Sequence, residues 1–470
     1  MTTATGVHIL VYPFPSSGHI IPLLDLTQRL LIRGLTVTIL VTPANLPLLD
    51  PYLSTHPSSL KQLVLPAPGS AISCPPQKRL VSIIRAIRDL HYPMLLQWFQ
   101  SQSSPPMTIV SDFFLGWTRH LASELGVPRI VFSPSGAFAL SVGFSMCRDP
   151  QEPDDPEDMN FQVSFPKIPN SPVYPWWQIP QHVRCFRGDP DREFYMSNIL
   201  DNAASWGFLF NSFVELERVY FDHLKRELGH DRVFAVGPVL PPDNSNLEES
   251  ASRGGVSSVP CHEVMTWLDA RPDHSVVYVC FGSRVVLTSR QMDVLTSALE
   301  SSGVQFLLCV RGPDEKFASD DHGVIPCGYE ARVEGRGFVI KGWAPQVAVL
   351  RHRAVGTFLT HCGWNSTLEG IAAGVVMLTW PMGADQYTNA KLLVDQLGVA
   401  IRAGEGTQNI PESTVLARLL AISVEGSRPE RSRANELSDV ALSAVNAGSS
   451  VKELDEFVKL LTDVQKLREN

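Results

Sequence analysis

The chain of 470 residues carries 39 Lys and Arg against 48 Asp and Glu, a formal net charge of −9, with 44% hydrophobic and 19% charged residues. This composition is typical of a folded globular protein and excludes a largely disordered chain. The length favours two domains, and the negative charge without a long basic run argues against an extended surface for nucleic acid or anionic membranes.

The eight cysteines are scattered and contain no C-x-x-C pair. This pattern indicates neither a zinc site nor a disulfide framework, so we expect a reducing, cytoplasmic compartment. The N-terminus lacks a basic segment before its short apolar run, which predicts a first strand instead of a signal peptide. No apolar run approaches the roughly 18 residues of a membrane span, so no integral membrane segment is expected.

The first half of the chain alternates strand-like and helix-like segments. The run VHILVYPF (7–14) is followed by the turn SSGHIIP, by a segment with apolar residues at helical spacing that ends at Gly34, and by LTVTILVT. This is the pattern of a βαβ unit. Further apolar runs lie at 107–112, 129–134, 207–212 and 233–238. Such alternation predicts a parallel, doubly wound sheet.

Two stretches break this alternation. The stretch 149–191 is rich in Pro and acidic residues, which predicts a surface excursion with short helices. Pro, Ser, Gly and Asn crowd residues 241–260 without periodicity, which predicts a linker. After this linker the strand and helix alternation restarts. We therefore expect α/β architecture with two Rossmann-like domains that face each other across a cleft, with ligands at the carboxyl ends of their strands.

The segment HCGWNSTLEG (361–370) follows the apolar run AVGTFL and begins a predicted helix. Gly363 permits close backbone approach, and Asn365 and Ser366 lie where the first free amides of the helix can hold a phosphate. Glu369 lies one turn further, where a carboxylate can accept hydrogen bonds from ribose hydroxyls. The alternative is purely structural, with Asn365 as a helix cap and Glu369 as a complement to the helix dipole.

Residues on both sides of this segment extend the pattern. Trp343, in GWAPQ, offers a flat face for a base, and its backbone can pair with the base edge. Asp385 and Gln386, at the end of WPMGADQ, can grip sugar hydroxyls. The combined series of base, ribose, phosphate and hexose contacts fits a nucleotide-sugar.

The span from Trp343 to Gln386 resembles the signature box of plant secondary-product UDP-sugar glycosyltransferases, with Val376 where that family usually has Pro. The resemblance implies the GT-B fold, two Rossmann-like, doubly wound parallel-sheet domains facing across a cleft. It implies an acceptor domain over 1–240, the linker 241–260, and a donor domain over 261–447. A C-terminal helix at about 448–470 would cross back to the acceptor domain.

The same resemblance implies residue roles in donor binding. Trp343 would stack on uracil, the Ala344 backbone would read its edge, and Gln346 and Glu369 would serve the ribose. The residues expected to hold the diphosphate are Ser283, His361, Asn365 and Ser366, and those expected to face the sugar are Trp364, Asp385 and Gln386. Gly363 belongs to the expected donor-binding residues through the close backbone approach that it permits.

The turn SSGHIIP places His19 at a predicted helix N-terminus after the first strand. A lone histidine is more often structural than catalytic. The family resemblance instead implies that His19 deprotonates the acceptor hydroxyl and that Asp112, which ends the run MTIVSD, orients it. The expected reaction inverts the anomeric configuration, and the helix that begins near Asn365, together with His361, would stabilise the departing UDP.

Metal dependence is not expected, and no cofactor is expected because the UDP-sugar is a co-substrate. The one D-x-D pattern, Asp189-Pro190-Asp191, lies in the Pro-rich excursion, far from the donor residues, and predicts solvated surface. The other expected ligand is a small lipophilic acceptor, and no nucleic acid is expected. Candidate acceptor contacts, chosen by position, are Phe113, Phe114, Phe138, Phe144, Met146 and Ala384.

The expected function is transfer of a sugar to a hydroxyl of a flavonoid or other phenolic. Gln386 resembles glucose-using members, so UDP-glucose is favoured, with UDP-xylose, UDP-rhamnose and a terpenoid acceptor as alternatives. The segment PFPSSGHIIPLLDLT resembles the corresponding segment in the branch of the family that includes flavonol 7-O- and benzoate glycosyltransferases. A Rossmann oxidoreductase is disfavoured because the first turn lacks G-x-G-x-x-G. A non-catalytic nucleotide-sugar binding protein need not keep His19 and Asp112, so their presence favours an enzyme.

Overall fold

The structure is a computed structural model that describes residues 6–69, 78–185, 187–241, 257–311 and 322–469. The chain divides into two compact units: one holds the residues up to Leu240 together with those from Ala444 onward, and the other holds Pro241–Ser443. Most of the predicted linker, residues 242–256, lies outside the described residues. Within the described ranges, no helix is both long and apolar enough to cross a membrane.

The first unit is built on a parallel sheet. Its strands are β1 (His8–Tyr12), β2 (Thr36–Val41), β3 (Leu60–Val64), β4 (Thr108–Asp112), β5 (Arg129–Ser133), β8 (Gly207–Phe210) and β9 (Val233–Ala235), where β6 (Gln162–Ser164) and β7 (Val173–Pro175) form a separate antiparallel pair. Among the described residues, the sheet order is β3-β2-β1-β4-β5-β8-β9, and each neighbouring pair is parallel.

Helices connect these strands. They span Ser17–Ile32, Asp50–Thr55, Arg79–Ser101, Thr118–Glu124, Ala137–Arg148, Pro190–Leu200 and Val214–Leu228, with 3-10 helices at Pro43–Leu49, Phe113–Leu115, Trp176–Gln178 and Asp201–Ala204. The C-terminal helix Ser449–Glu469 belongs to this unit, where Phe457 contacts Phe234 of β9 with ring centroids 5.6 Å apart and Asp455 pairs with Arg33 at 2.6 Å.

The second unit has a sheet of the same kind. Its strands are β10 (Val276–Cys280), β11 (Gln305–Val310), β12 (Gly337–Lys341), β13 (Val355–Thr360), β14 (Val376–Thr379) and β15 (Ala400–Arg402), in the order β12-β11-β10-β13-β14-β15 and all parallel within the described ranges. Its helices span Cys261–Asp269, Ser289–Ser301, Tyr329–Arg332, Gln346–Arg351, Trp364–Ala372, Gln386–Lys391 with a π-helical extension Leu392–Gln396, Ser413–Ser423 and Pro429–Asn446.

The apolar runs of the sequence become strands because helices cover both faces of each sheet. Every residue of β4, β5, β10 and β13 is buried, which explains their continuous instead of alternating hydrophobicity. The predicted pair of doubly wound parallel sheets is confirmed. In each sheet the strand order reverses once, between β1 and β4 and between β10 and β13, and ligands bind in α/β folds beside such switch points.

The excursion at 149–191, predicted as a surface segment with short helices, contains the short helix Trp176–Gln178 and also two strands. It contains the antiparallel pair β6 and β7, and its turn carries Asn170 and Ser171 with positive φ. Three of its aromatic side chains, Phe165, Tyr174 and Trp176, are at most 5% exposed. The segment therefore folds around apolar residues of its own, which outweigh the bias of its acidic composition.

Candidate active site

The switch point of the first unit brings together His19 and Asp112. His19 is the third residue of the helix Ser17–Ile32, directly after β1, and Asp112 is the last residue of β4. Because β1 and β4 are parallel neighbours, their carboxyl ends lie side by side. His19 Nδ1 is 2.8 Å from Asp112 Oδ2, so two residues 93 positions apart form one hydrogen-bonded pair.

The surroundings of Asp112 fix the direction of this hydrogen bond. The carboxyl group is fully buried, and its Oδ1 accepts from the backbone N–H of Phe114 at 2.9 Å. An ionised carboxylate only accepts hydrogen bonds, so His19 donates its Nδ1–H and keeps a lone pair on Nε2. This is the arrangement of a general base whose tautomer and ring orientation are held by a carboxylate.

Aromatic rings pack around His19. Phe114 stacks on the imidazole with ring centroids 4.8 Å apart, Phe113 stacks at 5.9 Å, and Phe14 meets it edge-on at 5.4 Å. The His19 side chain is 14% exposed. The ring is thus held by packing, while a small part of it stays accessible.

The predicted acceptor contacts fall into different environments. Phe114 is half-buried against His19, whereas Phe138 and Phe144 are fully buried in the core, and Phe138 stacks on Tyr220 at 4.3 Å. Met146 is also buried. These three buried side chains serve packing and present almost no surface to a ligand, because their helix turns its apolar residues into the core. Ala384 belongs to the second unit, where it is exposed with a φ of 52°.

The switch point of the second unit holds a histidine of a different kind. His361 follows β13 directly and is 9% exposed. Two glycines enclose its ring: a Cβ added to Gly282 would lie 2.5 Å from His361 Nε2, and one added to Gly363 would lie 2.4 Å from it. Gly282 also has a φ of 74°, which disfavours other residues. Gly282 lies in CFGS, beside the predicted Ser283, and the sequence analysis missed it.

Burial sets the charge of this second histidine. It lowers the pKa of His361 to about 4, so the imidazole is neutral at pH 7. Its buried Nδ1 has no hydrogen-bond partner within the described residues. A buried polar atom without a partner is costly, and a bound ligand can satisfy it. The helix Trp364–Ala372 begins three residues after His361 with Gly363 as its N-cap, and its first turn carries the predicted Asn365 and Ser366.

The residues predicted for the ribose are in direct contact. Gln346 Nε2 donates to Glu369 Oε2 at 2.6 Å and to Ser366 Oγ at 2.9 Å, although the two helices that carry them are separated by β13. Tyr278 of β10 donates to Gln346 Oε1 at 3.2 Å, a contact that the sequence did not reveal. The amide of Gln346 therefore holds the Glu369 carboxylate in place, and that carboxylate keeps capacity to accept from ribose hydroxyls.

The residues predicted to contact the base lie before the helix Gln346–Arg351. Trp343 is half-buried, and its backbone is fastened at both ends, because its N–H donates to Ser258 Oγ at 2.7 Å and its carbonyl accepts from the Ser258 N–H at 2.9 Å. The Ala344 carbonyl accepts from the Gln346 N–H at 2.8 Å. Ser283 lies after β10, where its carbonyl accepts from Arg311.

The residues predicted for the sugar cluster around a loop after β14. Gln386 Oε1 accepts from the backbone N–H groups of Met382 and Gly383 at 2.8 and 3.1 Å, which shapes the loop. Asp385 Oδ2 accepts from Asn389 at 3.1 Å. Trp364, also predicted to face the sugar, is only 4% exposed, so its ring offers little surface to a ligand.

The D-x-D pattern is not solvated surface as predicted. Asp189 is 4% exposed and caps the helix Pro190–Leu200, where its Oδ1 accepts from the N–H of Asp191 at 2.8 Å. Lys78 pairs with both acids, at 2.9 Å to Asp189 and 3.3 Å to Asp191. These carboxylates are therefore occupied with capping and ion pairs, and the described part of the chain contains no cluster of three His, Cys, Asp or Glu residues suited to a metal.

Comparisons with known proteins identify the family of the chain. Residues 254–410 match the family model of UDP-glucoronosyl and UDP-glucosyl transferases. The chain is 50% identical over 468 residues to UDP-glycosyltransferase 89B2 of Stevia rebaudiana, covering 97% of this chain and 98% of that protein. It is also 50% identical over 469 residues to flavonol 3-O-glucosyltransferase UGT89B1 of Arabidopsis thaliana, covering 97% and 96% of the two chains.

Solved structures give the same result. The crystal structure of Arabidopsis thaliana UGT89C1 complexed with UDP-L-rhamnose superposes with a TM-score of 0.80 at 37% identity, covering 98% of this chain and 100% of that one. The same protein has been solved in complex with quercetin, with a TM-score of 0.76 to this chain. The GT-B fold and the family resemblance predicted from the sequence are thereby confirmed, and the chain belongs to the plant family of UDP-glycosyltransferases.

Proposed function

We propose that the protein is an inverting O-glycosyltransferase that moves glucose from UDP-glucose to a hydroxyl group of a flavonoid. The observation that carries the proposal is the 2.8 Å hydrogen bond between His19 and the buried Asp112 at a switch point of the first unit. A protein that only bound nucleotide-sugars would need no oriented base there.

In the proposed reaction, His19 Nε2 takes the proton of the acceptor hydroxyl. The oxygen attacks the anomeric carbon of the sugar from the side opposite to UDP, the C–O bond to UDP breaks, and the configuration inverts through an oxocarbenium-like transition state. Asp112 stabilises the imidazolium that forms.

Departing UDP gains negative charge, which the second unit can stabilise. The N-terminus of the helix Trp364–Ala372 offers backbone N–H groups, and Asn365 and Ser366 lie in its first turn. His361 is neutral, so it contributes a single N–H donor and no full charge. Preorganised donors of this kind stabilise a leaving group without a metal ion or cofactor.

The choice of glucose is supported by two observations. Gln386 ends the donor segment as in glucose-using members, and the relative from Arabidopsis thaliana that is 50% identical is named a flavonol 3-O-glucosyltransferase. The second candidate donor is UDP-rhamnose, because UGT89C1, with 37% identity, was solved with UDP-L-rhamnose. The flavonoid acceptor is supported by the same flavonol enzyme and by the quercetin complex of UGT89C1.

The test is turnover of flavonols, hydroxybenzoates and terpenols with UDP-glucose, UDP-xylose and UDP-rhamnose in parallel, scored by mass spectrometry. Addition of a hexose to quercetin or another flavonol is the expected result. Transfer of a deoxyhexose instead would replace glucose by rhamnose, and a terpenol as the only acceptor used would overturn the flavonoid assignment. Absence of transfer with all nine combinations, in a protein that still binds UDP, would favour a binding protein.

We also propose that the enzyme works in the cytoplasm. The described cysteines Cys147, Cys185, Cys261, Cys280, Cys309, Cys327 and Cys362 are all free thiols. Free thiols are typical of a reducing compartment. Localisation of a fluorescent fusion in plant cells tests this, and a signal confined to the secretory pathway would contradict it.

A further inference from the structure

The short segment between Asp112 and Trp117 is held in an unusual way. Each of four consecutive backbone carbonyls accepts a hydrogen bond from a side chain of another element. The Asp112 and Leu115 carbonyls each accept from Arg129 Nη2 at 3.3 Å, the Phe113 carbonyl accepts from Asn202 Nδ2 at 2.8 Å, and the Phe114 carbonyl accepts from Asn198 Nδ2 at 2.9 Å. We name Arg129, Asn198 and Asn202 the carbonyl clamp.

The three residues of the carbonyl clamp are at most 2% exposed. Burial of a guanidinium or an amide is costly unless its polar atoms are hydrogen-bonded. Buried residues of these types therefore usually have a specific role. Arg129 is satisfied further by Ser111 Oγ at 2.9 Å and Ser205 Oγ at 2.8 Å. Burial lowers the pKa of Arg129 to about 9, which still leaves it charged at pH 7.

The fit of the segment against the clamp is tight. Asn198 also accepts from the Trp117 N–H at 2.9 Å, so its amide bridges both ends of the turn. Gly116 lies directly on Asn198, and a Cβ added there would fall 1.7 Å from the Asn198 carbonyl oxygen. Only glycine permits this approach. The segment therefore has one position against the clamp.

This segment makes both contacts that orient the catalytic pair. The Phe114 N–H donates to Asp112 Oδ1, and the rings of Phe113 and Phe114 stack on His19. A shift of the turn would thus move the Asp112 carboxylate and the His19 ring together. We propose that Asn198, Asn202 and Arg129 are positioning residues for catalysis, which set the geometry of the His19–Asp112 pair through the backbone of residues 112–115.

The inference rests on the proposed function, in which His19 and Asp112 perform the chemistry. A misplacement of about 1 Å can cost about 100-fold in rate, so loss of one clamp contact should lower kcat without affecting the donor site. The donor residues belong to the second unit, whereas the three clamp residues belong to the first.

The test uses the full-length enzyme with UDP-glucose and quercetin. The main variant is Asn202→Asp, which keeps the size of the side chain but places an acceptor oxygen against the Phe113 carbonyl. Asn202→Ala and Asn198→Ala remove donors without this repulsion and serve if the first variant does not fold. We expect kcat to fall about 10-fold to 100-fold, with KM for UDP-glucose and Kd for UDP within about 2-fold of the wild type.

A matched control separates positioning from stability. Asn211 is equally buried, and its Oδ1 accepts from the backbone N–H of Val239 at 2.8 Å. Asn211→Ala should lower the thermal midpoint as Asn202→Ala does and keep kcat near the wild-type value. The proposal is overturned if kcat is unchanged in the clamp variants, if Asn211→Ala loses as much kcat, or if none of the clamp variants folds.

Failure of this proposal is distinguishable from failure of the proposed function. If the wild type transfers glucose to quercetin and His19→Ala does not, the proposed function stands whatever the clamp variants do. If the wild type lacks transferase activity, or His19→Ala keeps it, the proposed function itself fails.

Discussion

The two histidines lie at the switch points of their sheets, after different central strands, and have contrasting surroundings. His19 follows the first central strand of its sheet and donates to a buried carboxylate, whereas His361 follows the neighbouring central strand of the other sheet and has no partner for its Nδ1 within the described residues. His19 is packed against phenylalanine rings, and His361 is packed against glycines. The fold thus fixes where a residue lies, while its neighbours fix what it can do.

The difference has a chemical meaning. A carboxylate partner on Nδ1 directs the Nε2 lone pair of His19 outward, which suits proton abstraction. Glycines on both sides allow the backbone near His361 to approach a ligand closely, and burial keeps the ring neutral, which suits hydrogen bonding to an anion. The predictions below test these two roles, proton abstraction by His19 and anion binding by His361, in order of expected effect.

The largest effect should come from His19→Ala. Removal of a general base typically costs between about 10²-fold and 10⁴-fold, so we expect kcat to fall about 10³-fold. UDP affinity, measured by calorimetry, should stay within about 2-fold because the donor residues lie in the other unit. Turnover at the wild-type rate would show that His19 is not the general base.

Asp112→Asn should have the next largest effect. The carboxylate accepts on both oxygens, from His19 Nδ1–H and from the Phe114 N–H. A carboxamide has one acceptor and one donor side, so it can satisfy only one of these two donors. We expect kcat to fall about 10²-fold, with unchanged UDP affinity and a lower thermal midpoint. A variant with wild-type kcat would mean that His19 needs no orienting partner.

Glycine substitutions test the packing of the two histidines. Gly363 has a φ of −59°, so alanine fits its backbone, yet the added Cβ would lie 2.4 Å from His361 Nε2. Gly363→Ala should therefore weaken UDP binding about 10-fold or more. The matched control is Gly18→Ala beside His19, where a Cβ meets nothing within 4 Å and UDP affinity should not change. Equal UDP affinity in both variants would contradict an enclosed His361 at the donor site.

Much of this contrast could be predicted from local sequence. Continuous apolar runs predict buried parallel strands, and polar residues at strand ends predict a site there, which placed His19, Asp112 and His361 correctly at the carboxyl ends of β1, β4 and β13. Gln346 and Glu369 were both predicted for the ribose from the donor segment, and they form a hydrogen bond. The strand between their two helices fixes the distance between them.

Other features depend on contacts between segments distant in sequence. Gly282 encloses His361 from a different strand, and Asp189 is buried because Lys78 and the helix after it satisfy its carboxylate. The fully buried Phe138 looked the same in sequence as Phe114, which contacts His19, because only packing decides which aromatic ring faces a site. Likewise, the acidic and Pro-rich composition of residues 149–191 did not indicate that aromatic side chains are buried there.

The smallest effect concerns the charge of His361 and is visible only at acid pH. Burial lowers its pKa from 6.5 to about 4, so between these values the unfolded chain binds a proton that the native protein does not. The free energy of unfolding should therefore decrease as pH falls below 6.5, and His361 should contribute about 1.4 kcal/mol of this decrease at pH 5.5.

His361→Gln tests this contribution, since glutamine does not titrate. Between pH 7.5 and 5.5, the wild type should lose about 1.4 kcal/mol more unfolding free energy than the variant, measured by urea denaturation without UDP. The share from His182 remains in both proteins, because burial lowers its pKa to about 4 as well. Identical pH slopes would mean that burial does not keep His361 neutral in the native protein.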